Sequence, residues 1–188
     1  PGNTHSGILL INGTEFIGTG SMKGPYAGQT TLIGNHPMAG IVLYDDIVNV
    51  ISNTGTPNTF DGLNCGIYAR SSTLNLSNFQ MRNIRPDPAY GASRFNGCGV
   101  YAVARPELTS GNLTVQGFGQ ASSLLNFDGC TTGIAADNKV DVDISDCTFG
   151  GTPGNETEYG INLSWLYINR ISIFNNAIYV IECIFYLC

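Results

Sequence analysis

Carboxylates are the residues best placed to do chemistry in this sequence, and they fall into two patterns. Asp45 and Asp46 are adjacent. Two carboxylates in one cleft can divide the acid and base roles of glycosidic cleavage. Neighbours on a strand point to opposite faces, so this pair meets in one site only at a bend; a solvated corner is the competing reading. Asp141 and Asp143 alternate with Val140, Val142 and Ile144, which turns both toward solvent, and Asp146 follows at a turn. Grouped carboxylate oxygens suit Ca²⁺, although that ion asks for six or more converging ligands. The competing reading sets Asp141 beside Arg170, and Asp143 beside Thr114 and Ser172, on neighbouring strands. A third grouping is aromatic: Tyr44, Tyr68, Tyr101 and Trp165, with Arg70 and Asp137 among them. Flat rings for sugar C–H faces and charged forks for hydroxyls are what a glycan-binding face needs. The only histidines are His5 and His36, and no two cysteines form a C-x-x-C pair, so the usual zinc spacing is absent.

The elements that must position these groups announce themselves by repetition. A Gly followed by a β-branched residue recurs at Gly40-Ile41, Gly66-Ile67, Gly99-Val100, Gly133-Ile134 and Gly160-Ile161. A second template has two alternating apolar residues, a small polar residue or Gly, then a bulky apolar one. It reads Leu74, Leu76, Asn78, Met81, again Val142, Ile144, Asp146, Phe149, and again Ile171, Ile173, Asn175, Ile178. Period-two alternation places Ile67, Val100, Ile134 and Ile161 inward in one column. Leu74, Leu113, Val142 and Ile171 form another. Tyr68 and Tyr101 point outward, as do Asn75, Thr114, Asp143 and Ser172. Asn, Asp or Gly at the turn fits a corner that needs a left-handed backbone. Extra length collects between the turn and the next Gly, where F-D-G at Phe60, F-N-G at Phe95 and F-D-G at Phe127 read as one repeated position. Cys65 and Cys98 each precede that Gly, so they stack in adjacent coils as buried thiols, with a disulfide as the alternative in an oxidising compartment.

Self-similarity at this spacing marks a solenoid or propeller. The stacked aliphatic columns, with the turn segments L-S-N-F-Q-M at Leu76 and I-S-D-C-T-F at Ile144, resemble the pectate-lyase-like superfamily of right-handed parallel β-helices. The resemblance runs from Leu9 to Ile178 and implies an all-β, single-stranded β-solenoid of about five to six coils. Its handedness is implied by the family and by the rule for parallel crossovers. Members of that superfamily that cleave polysaccharides use clustered carboxylates, or carboxylates with Ca²⁺ and a basic residue. The G-H-G and R-I-K segments of the polygalacturonase branch are not present here; the N-R-I at Asn169 lacks the Lys.

Composition sets outer bounds. The net charge is -6, with only 12% charged residues and 24 glycines. An acidic surface disfavours nucleic acid and anionic membranes. The apolar run at 177–188 is too short to span a bilayer and carries Glu182. Five N-x-S/T sequons begin at Asn12, Asn75, Asn112, Asn155 and Asn162, a hint of a secreted chain. The expectation is one domain over residues 1–188, a piece of a longer chain or a solenoid capped by assembly, because open ends expose strand edges. It predicts self-association or chain continuation at those ends. The function expected is an extracellular, cell-surface or virion-associated structural or adhesive module contacting a glycan or polysaccharide, with no cofactor unless Ca²⁺. A polysaccharide lyase or glycoside hydrolase is the alternative.

Overall fold

The computed structural model describes residues 15–19, 22–23, 39–45, 47–51, 57–104, 111–119, 122–138, 140–164, 171–174, 176–178 and 182–186. It is all-β, built from three sheets of stacked parallel strands. Sheet 1 contains Ala39–Tyr44, Cys65–Arg70, Cys98–Val103, Thr132–Asp137, Tyr159–Ser164 and Glu182–Tyr186. Sheet 2 contains Ile47–Ile51, Thr73–Ser77, Gly111–Gln116, Val140–Ser145 and Ile171–Phe174. Sheet 3 contains Glu15–Thr19, Asn58–Asp61, Phe79–Arg82, Phe127–Asp128, Thr148–Thr152 and Ala177–Ile178. Two short antiparallel strands, Met22–Lys23 and Asn155–Glu156, edge it. From Ala39 onward the chain visits sheets 1, 2 and 3 in the same order on every circuit, which is the path of a β-solenoid.

The expected columns are in register. Ile41, Ile67, Val100, Ile134 and Ile161 align on sheet 1, and all five are buried. Val48, Leu74, Leu113 and Val142 align on sheet 2, again buried, with Ile171 paired to Val142. Sheet 3 supplies the third wall: Phe60, Met81, Phe127 and Phe149 stack in sequence, fully buried. The Phe127 and Phe149 rings lie 4.7 Å apart and nearly parallel. Rungs about 4.8 Å apart make each column a continuous apolar ladder.

The glycine column follows from that third wall. A side chain at Gly99 would sit 2.7 Å from the Gly133 carbonyl and 2.9 Å from the Phe127 ring, and one at Gly133 would sit 2.6 Å from Phe149. Only Gly lets sheet 1 close on such large neighbours. Here the strand alternation also slips: Cys65 joins Tyr68 outside the main core, whereas Ile67 and Ala69 lie within it.

Left-handed backbone marks three corners. Asn78 and Asp146 (φ 50 and 56) turn sheet 2 into sheet 3, as their types predict, whereas at Gly117 the left-handed residue is Gly119 (φ 80). Asp45, Ser71 and Asn138 (φ 54, 52 and 47) turn sheet 1 into sheet 2, and Asn83 (φ 52) leaves sheet 3. Gly13, Ser52 and Asn175 fall outside the described residues.

One expectation about the repeat is corrected. Phe60, Phe95 and Phe127 are not equivalent. Phe60 and Phe127 are sheet 3 core residues, aligned through Met81, and Phe95 belongs to a loop outside the core. Asp61 and Asp128 accordingly flank Arg82 across sheet 3, with an Arg82–Asp61 ion pair at 3.1 Å, and Asn96 lies elsewhere. The shared Gly does act as a turn former in all three: Gly62, Gly97 and Gly129 have φ of 65, 93 and 68.

Candidate functional site

The outward faces of sheets 1 and 2 hold most of the residues singled out by chemistry, and the two are finished differently. On sheet 1, Tyr68 and Tyr101 are in register, and so are Tyr44, Arg70, Val103 and Asp137. The direction expected for these side chains is the one found. Their exposure is not: Tyr68, Tyr101 and Asp137 retain 8%, 7% and 4% of their surface. The 83–97 loop, which joins sheet 3 to sheet 1, lies over them. Its Phe95 ring packs edge-on against Tyr68 at 5.8 Å, Tyr101 at 6.3 Å and Tyr90 at 6.1 Å. Tyr44 and Tyr101 flank Tyr68 at 6.0 and 5.6 Å. The rings therefore form a small second core, not a platform open to a sugar.

Polar bonds fasten this loop. Asn96 clasps it internally, accepting from the Asp87 N–H at 2.8 Å and donating to the Asp87 and Gly91 carbonyls at 2.9 and 3.0 Å. Arg94 reaches the sheet, with Nε 3.1 Å from Asp137 Oδ2, the same oxygen that accepts the Tyr101 hydroxyl at 2.7 Å. A buried carboxylate is tolerable because it is paired and hydrogen-bonded in this way. Burial, and then Asp137, push the Tyr101 phenol well above its ordinary range. It stays a neutral donor.

Beneath the same loop, Cys65 and Cys98 stack in register as free, buried thiols. Cys65 Sγ donates to the Ile67 carbonyl and Cys98 Sγ to the Arg94 carbonyl, at 3.4 and 3.0 Å. Burial raises Cys65 and pushes Cys98 up to about 12, so neither is a thiolate at neutral pH. Cys130, at about 12, and Cys147 are raised by the same cause.

Among the described residues, no loop covers the Asp141 and Asp143 region of sheet 2 in this way. Thr73, Asn112 and Asp141 form one outward column, and Asn49, Asn75, Thr114, Asp143 and Ser172 form the next. Thr73, Asn75, Asn112, Thr114, Asp141 and Asp143 line a shallow depression of about 230 Å³. Neighbouring rungs hold each other: Asn75 Nδ2 donates to Asn49 Oδ1 at 2.6 Å, and Asn112 Nδ2 to Thr73 Oγ1 at 3.3 Å. Among the described residues, no Lys or Arg lines the depression.

The remaining sites resolve as follows. Asp45 is a corner residue; Asp46 and Trp165 fall outside the described residues. Arg70 is half-buried at the end of its strand. Asp141 and Asp143 do share a face, and among the described residues no three His, Cys, Asp or Glu side chains gather as a metal site. Sequence reasoning missed Arg94. Nothing local connects it to Asp137, which lies 43 positions away (137 less 94).

Comparison with known proteins finds no matching family model, no matching curated protein and no matching solved structure.

Proposed function

We propose that this chain is a closed, right-handed β-helix module of an extracellular, cell-surface or virion-associated structural or adhesive protein, and that the outward face of sheet 2 contacts a neutral glycan. The right hand follows the strong preference of parallel crossovers. The observation that carries the glycan reading is the sheet 2 depression, lined by amide, hydroxyl and carboxylate groups on three successive rungs. Such groups bond sugar hydroxyls as both donors and acceptors. The net charge of -6 disfavours uronates and other polyanions.

Titration of the protein with neutral and uronate-containing oligosaccharides tests this. Neutral sugars are expected to bind, weakened about tenfold or more by Asn112→Ala combined with Thr114→Val. Equal binding of acidic sugars, or neutral binding untouched by the pair, would refute it.

A second reading, a glycoside hydrolase, draws on the shared face of Asp141 and Asp143. Incubation with acidic and neutral polysaccharides separates the two. The adhesive reading predicts no oligosaccharide release. Release abolished by Asp141→Asn or Asp143→Asn, or by Asp45→Asn or Asp46→Asn, would replace it with the enzyme.

A further inference from the structure

We infer that Asn112 is a site of covalent N-glycosylation, taking its oligosaccharide from a lipid-linked pyrophosphate donor. This goes beyond the sugar contact proposed above and rests on the extracellular part of that reading alone. The sequon Asn112-Leu113-Thr114 lies in the strand Gly111–Gln116, whose residues alternate buried and exposed. Asn112 and Thr114 are thus exposed on one face, with Leu113 buried between them. The two residues that the modification reads are in water, and the one it does not read belongs to the core. Asn112 and Thr114 also border the sheet 2 depression, which leaves open space beside the amide.

The other sequons within the described residues are placed differently. Asn155 is enclosed: its Nδ2 donates to Asn83 Oδ1 and its Oδ1 accepts from Arg85 Nη2, both at 2.8 Å. The same Nδ2 lies only 2.5 Å from where a Cβ on Gly129 would stand, so a sugar ring attached there meets backbone. Thr157, which completes that sequon, is fully buried. Asn75 is half-buried, its Nδ2 held 2.6 Å from Asn49 Oδ1. Asn162 is half-buried as well, its Oδ1 3.5 Å from Arg94 Nη2 of the 83–97 loop. Of these four, Asn112 is the exposed one. The bond from its amide to Thr73 Oγ1 is long, 3.3 Å, and lies in solvent, so a linked sugar displaces little.

The transfer balances without an oxidant. Asn112 Nδ2 bonds C1 of the first sugar, the C1–O bond to pyrophosphate breaks, the lipid pyrophosphate leaves and the amide gives up one proton. In the folded chain the acceptor strand is paired on both edges, to Thr73–Ser77 and to Val140–Ser145, and cannot enter a transferase cleft. Attachment therefore precedes folding, and the fold then sorts the sites. A sugar that ends in water is carried, and one that must be buried stops its chain from folding. Thr114 serves the attachment and not the core, which makes it the residue to vary. Chain made without the sugar donor presents the same face bare, the form suited to the titration above.

Expression of the whole chain through a eukaryotic secretory pathway tests the inference. A glycan-releasing amidase in heavy-oxygen water converts each sugar-bearing Asn to a labelled Asp, and peptide mass spectrometry locates the label. Most folded, secreted chains are expected to carry it at Asn112 and none at Asn155. Thr114→Val should abolish the Asn112 label and leave the melting temperature unchanged, whereas Thr114→Ser, which restores the hydroxyl, should keep it. A folded, secreted chain bare at Asn112, or a label that survives Thr114→Val, overturns the site. Either result leaves the extracellular reading standing, because that reading requires no sugar on the chain. Label at Asn155 in folded chains overturns the sorting of sites by the fold. Failure of the cell to export any of the chain counts against the extracellular reading itself and removes this inference with it.

Discussion

Sheets 1 and 2 present outward faces of similar construction, and the two have opposite fates. Both are parallel, both alternate inward aliphatic with outward residues, and their strands stack in register over the same circuits. Sheet 1 carries Tyr68, Tyr101 and Asp137 outward and buries them under the 83–97 loop. Around the depression, sheet 2 carries Asn75, Asn112, Thr114 and Asp143 outward, with Asn112 and Thr114 exposed. The lesson concerns the word outward. Strand alternation decides which side of the sheet a residue faces. A loop arriving from another corner decides whether that side meets water. The sheet 1 tyrosines are thus packed side chains, whereas Asn112 and Thr114 of sheet 2 are exposed among the described residues.

That contrast can be attacked at graded strength. The largest effect comes from the wall both faces share. Ile134→Asp places an unpaired charge in a fully buried column, at a cost of several kcal/mol, and is expected to abolish folding as read by circular dichroism. A folded Ile134→Asp protein would mean that the two faces do not share one core.

Next in size is Tyr101→Ala. It removes a ring packed against Phe95 and Tyr68 and leaves Asp137 without its hydroxyl donor, so chemical denaturation should show a loss of about 3–5 kcal/mol. Arg94→Ala is milder, about 1–3 kcal/mol, because the guanidinium is 38% exposed even though Asp137 is buried. It should also make the 83–97 loop the first site of limited proteolysis. An Arg94→Ala protein as stable and as resistant as the parent would show that the loop is held by its rings alone.

Alkaline pH tests the covered face differently. The native state keeps the Cys98 proton up to about 12, whereas the unfolded chain gives it up near the ordinary 9.0. Above that ordinary value the unfolded state binds fewer protons, so stability is complete below pH 9 and falls as pH rises toward 12. Cys98→Ala should flatten part of that decline in pH-dependent melting. An unchanged alkaline slope would remove burial of this thiol as its cause.

The smallest expected effect is on sheet 2, where Thr114→Ala should change stability by no more than about 0.5 kcal/mol, as exposed positions do. A loss as large as that of Tyr101→Ala would dissolve the distinction between the faces.

Much of the scaffold was legible from residue order, because its rules are local. Alternation placed Ile67, Val100 and Ile134 in one ladder and Leu74, Leu113 and Val142 in another. It also put Asp141 and Asp143 on one face. The residue types at Asn78 and Asp146 matched left-handed corners, and the stacking of Cys65 on Cys98 followed from their place before each Gly. The third sheet was not legible. Its strands are as short as Phe127–Asp128, too short for alternation to register, and the shared F-D-G and F-N-G spelling misaligns Phe95 with Phe60 and Phe127. Nor could the sequence bury the tyrosines. Their cover depends on Arg94 meeting Asp137 and on Phe95 meeting Tyr68, contacts between residues far apart in the chain. Local order sets direction and spacing through backbone geometry. Exposure is set by whatever distant segment finds a better contact than water, and that is decided only when the chain closes on itself.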